Sequence, residues 1–107
     1  MTMRLSSHNG MAVAEVTSLP GCSQIAVIHA ANVLPSARGE GIGQEAHNQR
    51  LERLRDEFLY DVAVCTVDCA NVAQNKIMKR AGWVVVKTFT SRRTGHEVAL
   101  WVKGLVN

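Results

Sequence analysis

The chain is short of cysteine and of long apolar runs, and each shortage excludes a class of protein. Its cysteines, Cys22, Cys65 and Cys69, are an odd number, so we expect no disulfide framework and a reducing, cytoplasmic compartment. Cys65 and Cys69 lack C-x-x-C spacing, and no pair of histidines follows them, so no metal site is predicted. No apolar run approaches the ~20 residues of a membrane span, and we expect a soluble protein.

Aromatic residues are also scarce, and charge of neither sign dominates. Lysine and arginine number 12 against 9 acidic residues, and aromatics make up 5% of the chain. Arg92 and Arg93 therefore lack the stacking platform that usually accompanies nucleic-acid binding, so nucleic acid is not the expected partner. The small basic excess suits an anionic ligand. At 107 residues, 47% of them hydrophobic, the chain can form one core, which predicts a single domain over residues 1–107.

The most informative stretch is residues 33–43, Val-Leu-Pro-Ser-Ala-Arg-Gly-Glu-Gly-Ile-Gly. An apolar run ends here, glycines occupy alternate positions, and a charged segment with helical spacing follows. This order predicts a strand, a tight loop and a helix start, where unpaired N–H groups and the helix dipole favour an anion such as phosphate. The alternative is a glycine-rich turn that serves only to reverse the chain.

Hydrophobic periodicity and turn signals predict six strands and two helices. The strands are expected at residues 1–6, 11–17, 24–34, 60–67, 83–90 and 96–104, and the helices at residues 43–58 and 72–81. The strand at 24–34 has little alternation and is expected to be buried on both faces. The charges of the first helix, Arg50 among them, are expected to form a solvated face. The second helix is expected to pack inward through its apolar residues, Val72, Ala73, Ile77, Met78 and Ala81.

Two stretches resemble one known family. Residues 33–43 resemble the acetyl-CoA loop of the GCN5-related N-acetyltransferases, V-x-P-x-x-R/Q-x-x-G-x-G/A. Residues 71–83 are similar to the second signature of that family, an asparagine that starts a short helix ending in Gly-Phe or Gly-Trp. The resemblance covers residues 24–104. It implies an α/β fold with a mixed, mostly antiparallel sheet, a central pair of parallel strands that splay apart, and two main helices.

The same resemblance implies acetyl-CoA as co-substrate and a set of residues that bind it. The loop residues Arg38, Gly39, Glu40, Gly41, Ile42 and Gly43 would hold the pyrophosphate through main-chain N–H groups. The backbone from Ala31 to Val33 would contact the pantetheine arm. Asn71 would either contact the arm or only cap its helix, and one side chain can do both.

The implied reaction is direct attack of an acceptor amine on the thioester, which needs a base. His29 is the candidate base, and the alternative for it is a core histidine paired with a neighbour. Met78 occupies the position of the tyrosine that protonates the leaving thiolate in many family members, and Tyr60, the only tyrosine, lies elsewhere. The leading function is therefore an acetyl-CoA-dependent N-acetyltransferase; the alternative is a non-catalytic CoA-binding or protein-interaction module of the same fold.

The acceptor is expected to be a small-molecule or protein amine. Family members usually carry a further strand and one or two helices before the strands predicted here, and these helices form much of the acceptor wall. A sheet without them leaves an edge and apolar surface uncovered, which predicts a homodimer.

Overall fold

A computed structural model describes residues 2–34 and 41–106, and within them two helices pack on a six-stranded sheet. The elements in chain order are β1 Thr2–Ser7, β2 Ala12–Leu19, β3 Cys22–Val33, α1 Ile42–Asp56, β4 Val62–Asp68, α2 Val72–Arg80, β5 Val84–Thr90 and β6 Glu97–Gly104. In space the strands run β1-β2-β3-β4-β6-β5. Only β3 and β4 are parallel, and every other neighbouring pair is antiparallel. The predicted fold class is confirmed.

Local sequence explains where these elements turn and end. His8 and Asn9 have positive φ values of 53° and 58° between β1 and β2, and Asn and Gly in such a turn favour a hairpin. After α2, Gly82 has a φ of +87°, the left-handed conformation in which glycine commonly ends a helix. Among the described residues, neither helix is long and apolar enough to cross a membrane.

The central parallel strands stay together for only part of their length. Their paired residues run from Ile25 with Val62 to Val27 with Val64, although β3 continues to Val33 and β4 to Asp68. Beyond Val27, β3 instead shifts register against β2, and Ala30 has a positive φ of 52°. This irregularity turns the end of β3 away from β4, so the two strands splay as predicted.

The two faces of the sheet differ sharply in burial. The face under the helices carries the core, which includes Val16, Ala63 and Trp101. No helix of the described residues covers the opposite face, whose half-buried apolar side chains we call the open face: Ile25, Val27, Val62, Val64, Val98, Leu100 and Val102. The expectation that β3 is buried on both faces is therefore wrong, because an unbroken apolar run does not reveal that one face lacks a covering layer.

The buried faces of the helices also differ from expectation. In α1 the buried positions include His47 and Arg50 beside apolar residues, so the placement of Arg50 on a solvated face is wrong. In α2 only Met78 is buried, whereas Val72 is 70% exposed. The prediction that the apolar residues of α2 all pack inward is wrong because several of them face a cavity instead of the core.

Candidate functional site

A cavity of about 860 Å³ opens where the parallel strands part, between the end of β3 and the facing sides of α1 and α2. This position follows from the topology, because the carboxyl ends of parallel strands leave a crevice where the chain crosses between them. Its walls are formed by β3 residues Ala31, Asn32 and Val33, by Gly41 and five residues of α1, and by seven residues from Asn71 to Arg80. The cavity is large enough for a cofactor-sized ligand.

The start of α1 forms one end of the cavity. Gly41 has a φ of +77° and precedes the helix, and no side chain of the described residues caps it. The N–H groups of the first turn are therefore available for a ligand, at the end of the helix that favours an anion. A Cβ on Gly43 would lie 3.2 Å from Ile77 Cδ1 and 3.8 Å from Val33 Cγ2, so glycine keeps this end of the cavity open.

The predicted cofactor residues fall into three groups in the structure. Ala31, Val33, Gly41, Gly43 and Asn71 line the cavity. Ile42 begins α1 without lining it. The remaining predicted pyrophosphate residues, Arg38, Gly39 and Glu40, lie outside the described residues.

Asn71 caps a helix and also lies in the cavity wall, so it has the position required by each of the two roles that the sequence left open. Its side-chain oxygen accepts a hydrogen bond of 3.1 Å from the Gln74 backbone N–H, which makes it the N-cap of α2. The same residue lines the cavity. A cap residue at the cavity wall can therefore stabilise α2 and present a polar group to a ligand.

The charge of the cavity wall has one sign. Arg50, Lys76 and Arg80 line it, and no aspartate or glutamate among the described residues does. Together with the start of α1, these cations make the cavity suited to an anionic ligand. Of the cavity residues contributed by the two helices and their starts, only Gly41, Gly43 and Asn71 were predicted from sequence as cofactor residues. The three cations were missed because each looks like an ordinary surface residue of a helix.

Beneath α1 lies a buried polar pair, His47 and Trp83. His47 is 3% exposed, and its Nε2 accepts a hydrogen bond of 2.9 Å from the indole N–H of Trp83. Burial, and next the charge of Arg50, lower the pKa of His47 from 6.5 to about 4. His47 is therefore neutral at pH 7, where its ring can continue to accept this hydrogen bond.

Gln44 carries a buried oxygen without a hydrogen-bond donor. Its Nε2 donates to Asn48 Oδ1 at 3.2 Å and to the Ile77 carbonyl at 3.3 Å. Because a backbone carbonyl can only accept, the amide atom that faces Ile77 must be the nitrogen. The Oε1 atom is buried and has no partner among the described residues. Because Gln44 lines the cavity and an unpaired buried acceptor is costly, a ligand that carries an N–H or O–H group fits this wall.

The opposite wall, on α2, is mainly apolar. Val72, Ala73 and Ile77 all line the cavity, although an apolar stripe of this kind usually packs into a core. A ligand with an aliphatic arm would cover these side chains. Gln44 and this wall together suit a ligand that combines amide N–H groups with methylene groups.

Three histidine–carboxylate pairs of the described residues lie outside the cavity wall: His8–Glu45, and the two pairs on the splayed strands, His29–Glu15 and His96–Asp68. His29 is exposed, with its Nε2 2.8 Å from Thr17 Oγ1 and its Nδ1 3.5 Å from Glu15 Oε2. His29 is thus paired with neighbours, as its alternative interpretation expected, but it is not a core residue, and its side chain does not line the cavity. It lies beyond Val27, the last β3 residue paired with β4, on the part of the strand that splays away.

The pair of His96 with Asp68 was not predicted. His96 Nδ1 lies 2.7 Å from Asp68 Oδ2, and both side chains are accessible to solvent. The Ala70 backbone N–H and, next, the His96 ring lower the pKa of Asp68 below its usual range. Asp68 ends β4, on the opposite side of the splay from His29. The pair is separated by 28 positions in the sequence, so no local pattern could reveal it.

Neither residue considered as a general acid is free to act as one. Met78 is fully buried in the core, so its position on α2 presents no group to a ligand. Tyr60 is also buried, and its hydroxyl forms a hydrogen bond of 2.7 Å with Ser18 Oγ. A leaving group at this cavity would have to take its proton from water or from another side chain.

These features together define the fold. A mixed sheet whose central parallel strands part beside a glycine-started helix is the fold of the GCN5-related N-acetyltransferases.

Solved structures carry the comparison, since the sequence matches no protein-family model and no curated protein. A spermidine N-acetyltransferase chimera from Vibrio cholerae and hSSAT superposes with a TM-score of 0.79 at 12% identity, over 97% of this chain and 66% of that one. The ribosomal-protein-S18-alanine N-acetyltransferase from Escherichia coli gives 0.78 at 12% identity, over 100% and 70%. A GNAT-family acetyltransferase from Bacillus anthracis gives 0.80 at 12% identity, over 97% and 66%. The chain thus spans about two thirds of the length of these enzymes.

Proposed function

We propose that the protein is an N-acetyltransferase that uses acetyl-CoA as co-substrate. The observation that carries this proposal is the cavity itself: a space at the start of α1, located where the central parallel strands part, whose described charged residues are all basic. A fold alone does not define an activity, so the argument rests on the fit between this space and the parts of coenzyme A.

Each part of the cofactor has a complementary part of the wall. The diphosphate would be bound by the N–H groups at the start of α1, close to Gly41 and Gly43. The amide and methylene groups of the pantetheine arm would contact the Gln44 oxygen and the apolar side chains of Val72 and Ile77. The arm would then run beside Ala31 to Val33 toward the gap between β3 and β4.

The thioester supplies an activated acetyl group, and the acceptor amine attacks its carbonyl carbon. A new C–N bond forms, the C–S bond breaks, the thiolate leaves with the bonding electrons, and the amine loses one proton. An alkylamine with a pKa of ~10.4 is almost entirely protonated at pH 7, so a base near the acceptor accelerates the reaction, typically by roughly 10² to 10⁴. A main-chain N–H of the splayed part of β3 would stabilise the oxyanion.

Two histidines compete for the role of the base. His29 is the residue predicted from sequence, whereas His96 is bonded through Nδ1 to a carboxylate, which leaves its Nε2 available to accept a proton. The side chains are distinguished by comparing His29→Gln with His96→Gln. The base variant should lower kcat without weakening acetyl-CoA binding, and the other should resemble wild type.

If both glutamine variants retain full kcat, neither histidine is the base. A lower kcat in His96→Gln alone would reject His29 and assign the proton transfer to the pair with Asp68. A matched Asp68→Asn variant should then reproduce the loss, because it removes the carboxylate that orients the ring.

A non-catalytic coenzyme A-binding module is the second candidate function. It is favoured by the absence of an available acid at Met78 and Tyr60, both of which are buried. Such a module would bind acetyl-CoA in the same cavity and would leave the thioester intact.

Release of free coenzyme A thiol from acetyl-CoA separates the two functions. The acceptor panel should contain polyamines, free lysine and peptides that present an alanine amine, because the matched enzymes are named for spermidine and for an alanine of ribosomal protein S18. Amine-dependent thiol release with at least one acceptor supports the transferase. Acetyl-CoA binding without release for any acceptor would support the module, and absence of binding would reject both.

A further inference from the structure

Arg50 is a buried charge that the packing of the fold does not explain. The residue is 8% exposed, and its side chain makes no hydrogen bond or ion pair with the residues that the structure describes. Its ionisable neighbours are His47 and Cys65. Burial raises the pKa of Cys65 to about 11, so both neighbours are neutral at pH 7 and neither balances the guanidinium.

A buried cation without a counter-ion is unusual because its desolvation is not repaid by a partner. Arginine is rarely buried unless it is paired, and an unpaired buried charge destabilises a fold substantially. Burial accordingly lowers the pKa of Arg50, which nevertheless stays protonated at neutral pH. The missing partner is therefore expected from outside the described residues.

The position of Arg50 indicates where that partner binds. Arg50 lines the same cavity as Gly41 and Gly43, at the start of α1. Arg50 lies about two turns into α1, and long side chains on a helix lean toward its N-terminus, so its guanidinium is on the side from which it can reach a ligand bound at the uncapped first turn. Two independent features, an uncapped helix start and a buried arginine, thus face one cavity.

We propose that Arg50 is a phosphate-binding residue, which pairs with the diphosphate of coenzyme A from the inner side of the cavity while the first turn of α1 binds it from the helix end. The proposal rests on the proposed function for the identity of the ligand. The planar guanidinium suits a phosphate group because it can donate two parallel hydrogen bonds.

A diphosphate is favoured over a carboxylate by the number of positive groups. Lys76 and Arg80 line the same cavity, and no acid of the described residues offsets them. A multiply charged oxyanion can be shared among these groups, whereas a single carboxylate would leave most of them unpaired. The competing ligand, an acyl group that ends in a carboxylate, is an outcome of the test.

The test compares three variants by calorimetric titration with coenzyme A, inorganic pyrophosphate and pantetheine. Arg50→Met keeps the apolar stem and removes the charge, and Arg50→Lys keeps the charge without the planar fork. Arg55→Met is the matched control, since Arg55 is an exposed arginine of the same helix, paired with Asp56. Arg50→Met should weaken binding of coenzyme A and pyrophosphate by roughly 10- to 100-fold and leave pantetheine binding unchanged. Arg50→Lys should fall between, and Arg55→Met should match wild type.

Thermal unfolding distinguishes a ligand-binding role of Arg50 from a purely structural role, because the two roles predict opposite changes in melting temperature when Arg50 is replaced. Without ligand, Arg50→Met should melt at a higher temperature than wild type, because an uncompensated buried charge has been removed. On addition of coenzyme A it should gain less than wild type. A structural arginine would instead lower the melting temperature when replaced.

The possible results distinguish this inference from the proposed function. If wild type binds coenzyme A and Arg50→Met binds it equally well, the role of Arg50 is rejected while the transferase proposal stands. Succinyl-CoA carries an acyl group that ends in a carboxylate. If wild type binds it more tightly than acetyl-CoA, and Arg50→Met loses that preference while its affinity for pyrophosphate is unchanged, the diphosphate assignment is rejected in favour of a carboxylate. If wild type binds pyrophosphate through Arg50 but does not bind coenzyme A, the anion site stands and the transferase proposal fails.

Discussion

At the scale of single residues, α1 carries polar side chains where a helix on a sheet normally carries apolar ones. His47 and Arg50 are both buried, on the same side of the helix as Leu51 and Leu54. Their spacing contains a usable signal: Arg50 lies four positions before Leu54, and His47 lies four before Leu51. Residue type, rather than spacing, led to the wrong prediction of a solvated face, because a charged residue is seldom buried.

His47 should make the stability of the protein depend on pH. Its pKa of about 4 lies below the ordinary value of 6.5, so between these values the unfolded chain binds a proton that the folded chain does not. Above pH 6.5 the imidazole contributes nothing to the pH dependence, and stability falls as the pH drops toward 4, by up to roughly 3 kcal/mol. Urea unfolding at pH 7 and at pH 4.5 measures this loss.

His47→Gln is the control for that prediction. Glutamine can accept the hydrogen bond from the Trp83 indole N–H but does not titrate, so its loss of stability over the same pH range should be smaller. An equal loss in wild type and in His47→Gln would show that other groups cause the pH dependence.

Gly43 should be required for ligand binding because of the space that it leaves. A Cβ there would lie 3.2 Å from Ile77 Cδ1, and the larger side chain of Gly43→Val would itself fill this end of the cavity and press on Ile77. We expect affinity for coenzyme A to fall roughly tenfold or more. Gly104→Val is the control, since a Cβ at Gly104 meets only the Val106 carbonyl oxygen at 3.9 Å. Equal calorimetric affinities of the two variants would remove Gly43 from the site.

At the scale of elements, sequence patterns located all the helices and strands of the described residues to within a few positions. Turn signals explain this success: Asn9 and Gly10 end β1, and Gly82 ends α2, through conformations that these residues favour. Patterns failed to predict which side of β6 is covered. Ala99 and Trp101 are buried under the helices, whereas the equally apolar Val98, Leu100 and Val102 lie on the open face, and strand periodicity alone does not tell a covered face from an uncovered one.

The α2 helix should depend on Asn71 in two separable ways. Asn71→Ala removes the cap and should lower the free energy of unfolding by about 1 kcal/mol. Asn71→Ser retains a capping oxygen and should restore most of that stability, yet its shorter side chain should still bind coenzyme A more weakly than wild type. Urea unfolding and calorimetry are measured on both variants. If Asn71→Ser matches wild type in both, Asn71 acts only as a cap.

At the scale of the whole molecule, the open face is an apolar surface that no helix of the described residues covers. It runs across β3, β4 and β6 as a continuous set of half-buried apolar residues, centred on Val27, Val64 and Leu100. Contiguous apolar surface of this kind usually marks an interaction site. An uncovered apolar surface was expected from sequence, but its location on β3, β4 and β6 was not, because strand periodicity does not tell which face of a sheet is covered.

We propose that a second copy of the chain covers the open face, in the homodimer expected from sequence. Charges of both signs border it, with Arg4 beside Glu15 on one side and Lys87 on the other, so the face can meet its own copy without net repulsion, as a two-fold contact requires.

Light scattering at micromolar concentration should therefore give the mass of two chains. Leu100→Lys places a charge in the middle of the open face and should give the mass of one chain. Val86→Lys is the control, because Val86 is already 61% exposed on the edge strand, and this variant should remain dimeric. A monomeric mass for wild type would reject the dimer.

Hydrogen exchange with and without coenzyme A tests the central claim most directly, because it reports where the ligand binds. Saturating coenzyme A should slow amide exchange at the start of α1, from residue 41 to 46, and along α2, from residue 71 to 77. Exchange in β6, which does not line the cavity, should stay unchanged. Protection confined to other parts of the chain, or no change at saturating ligand, would contradict the assignment of this cavity as the acetyl-CoA site.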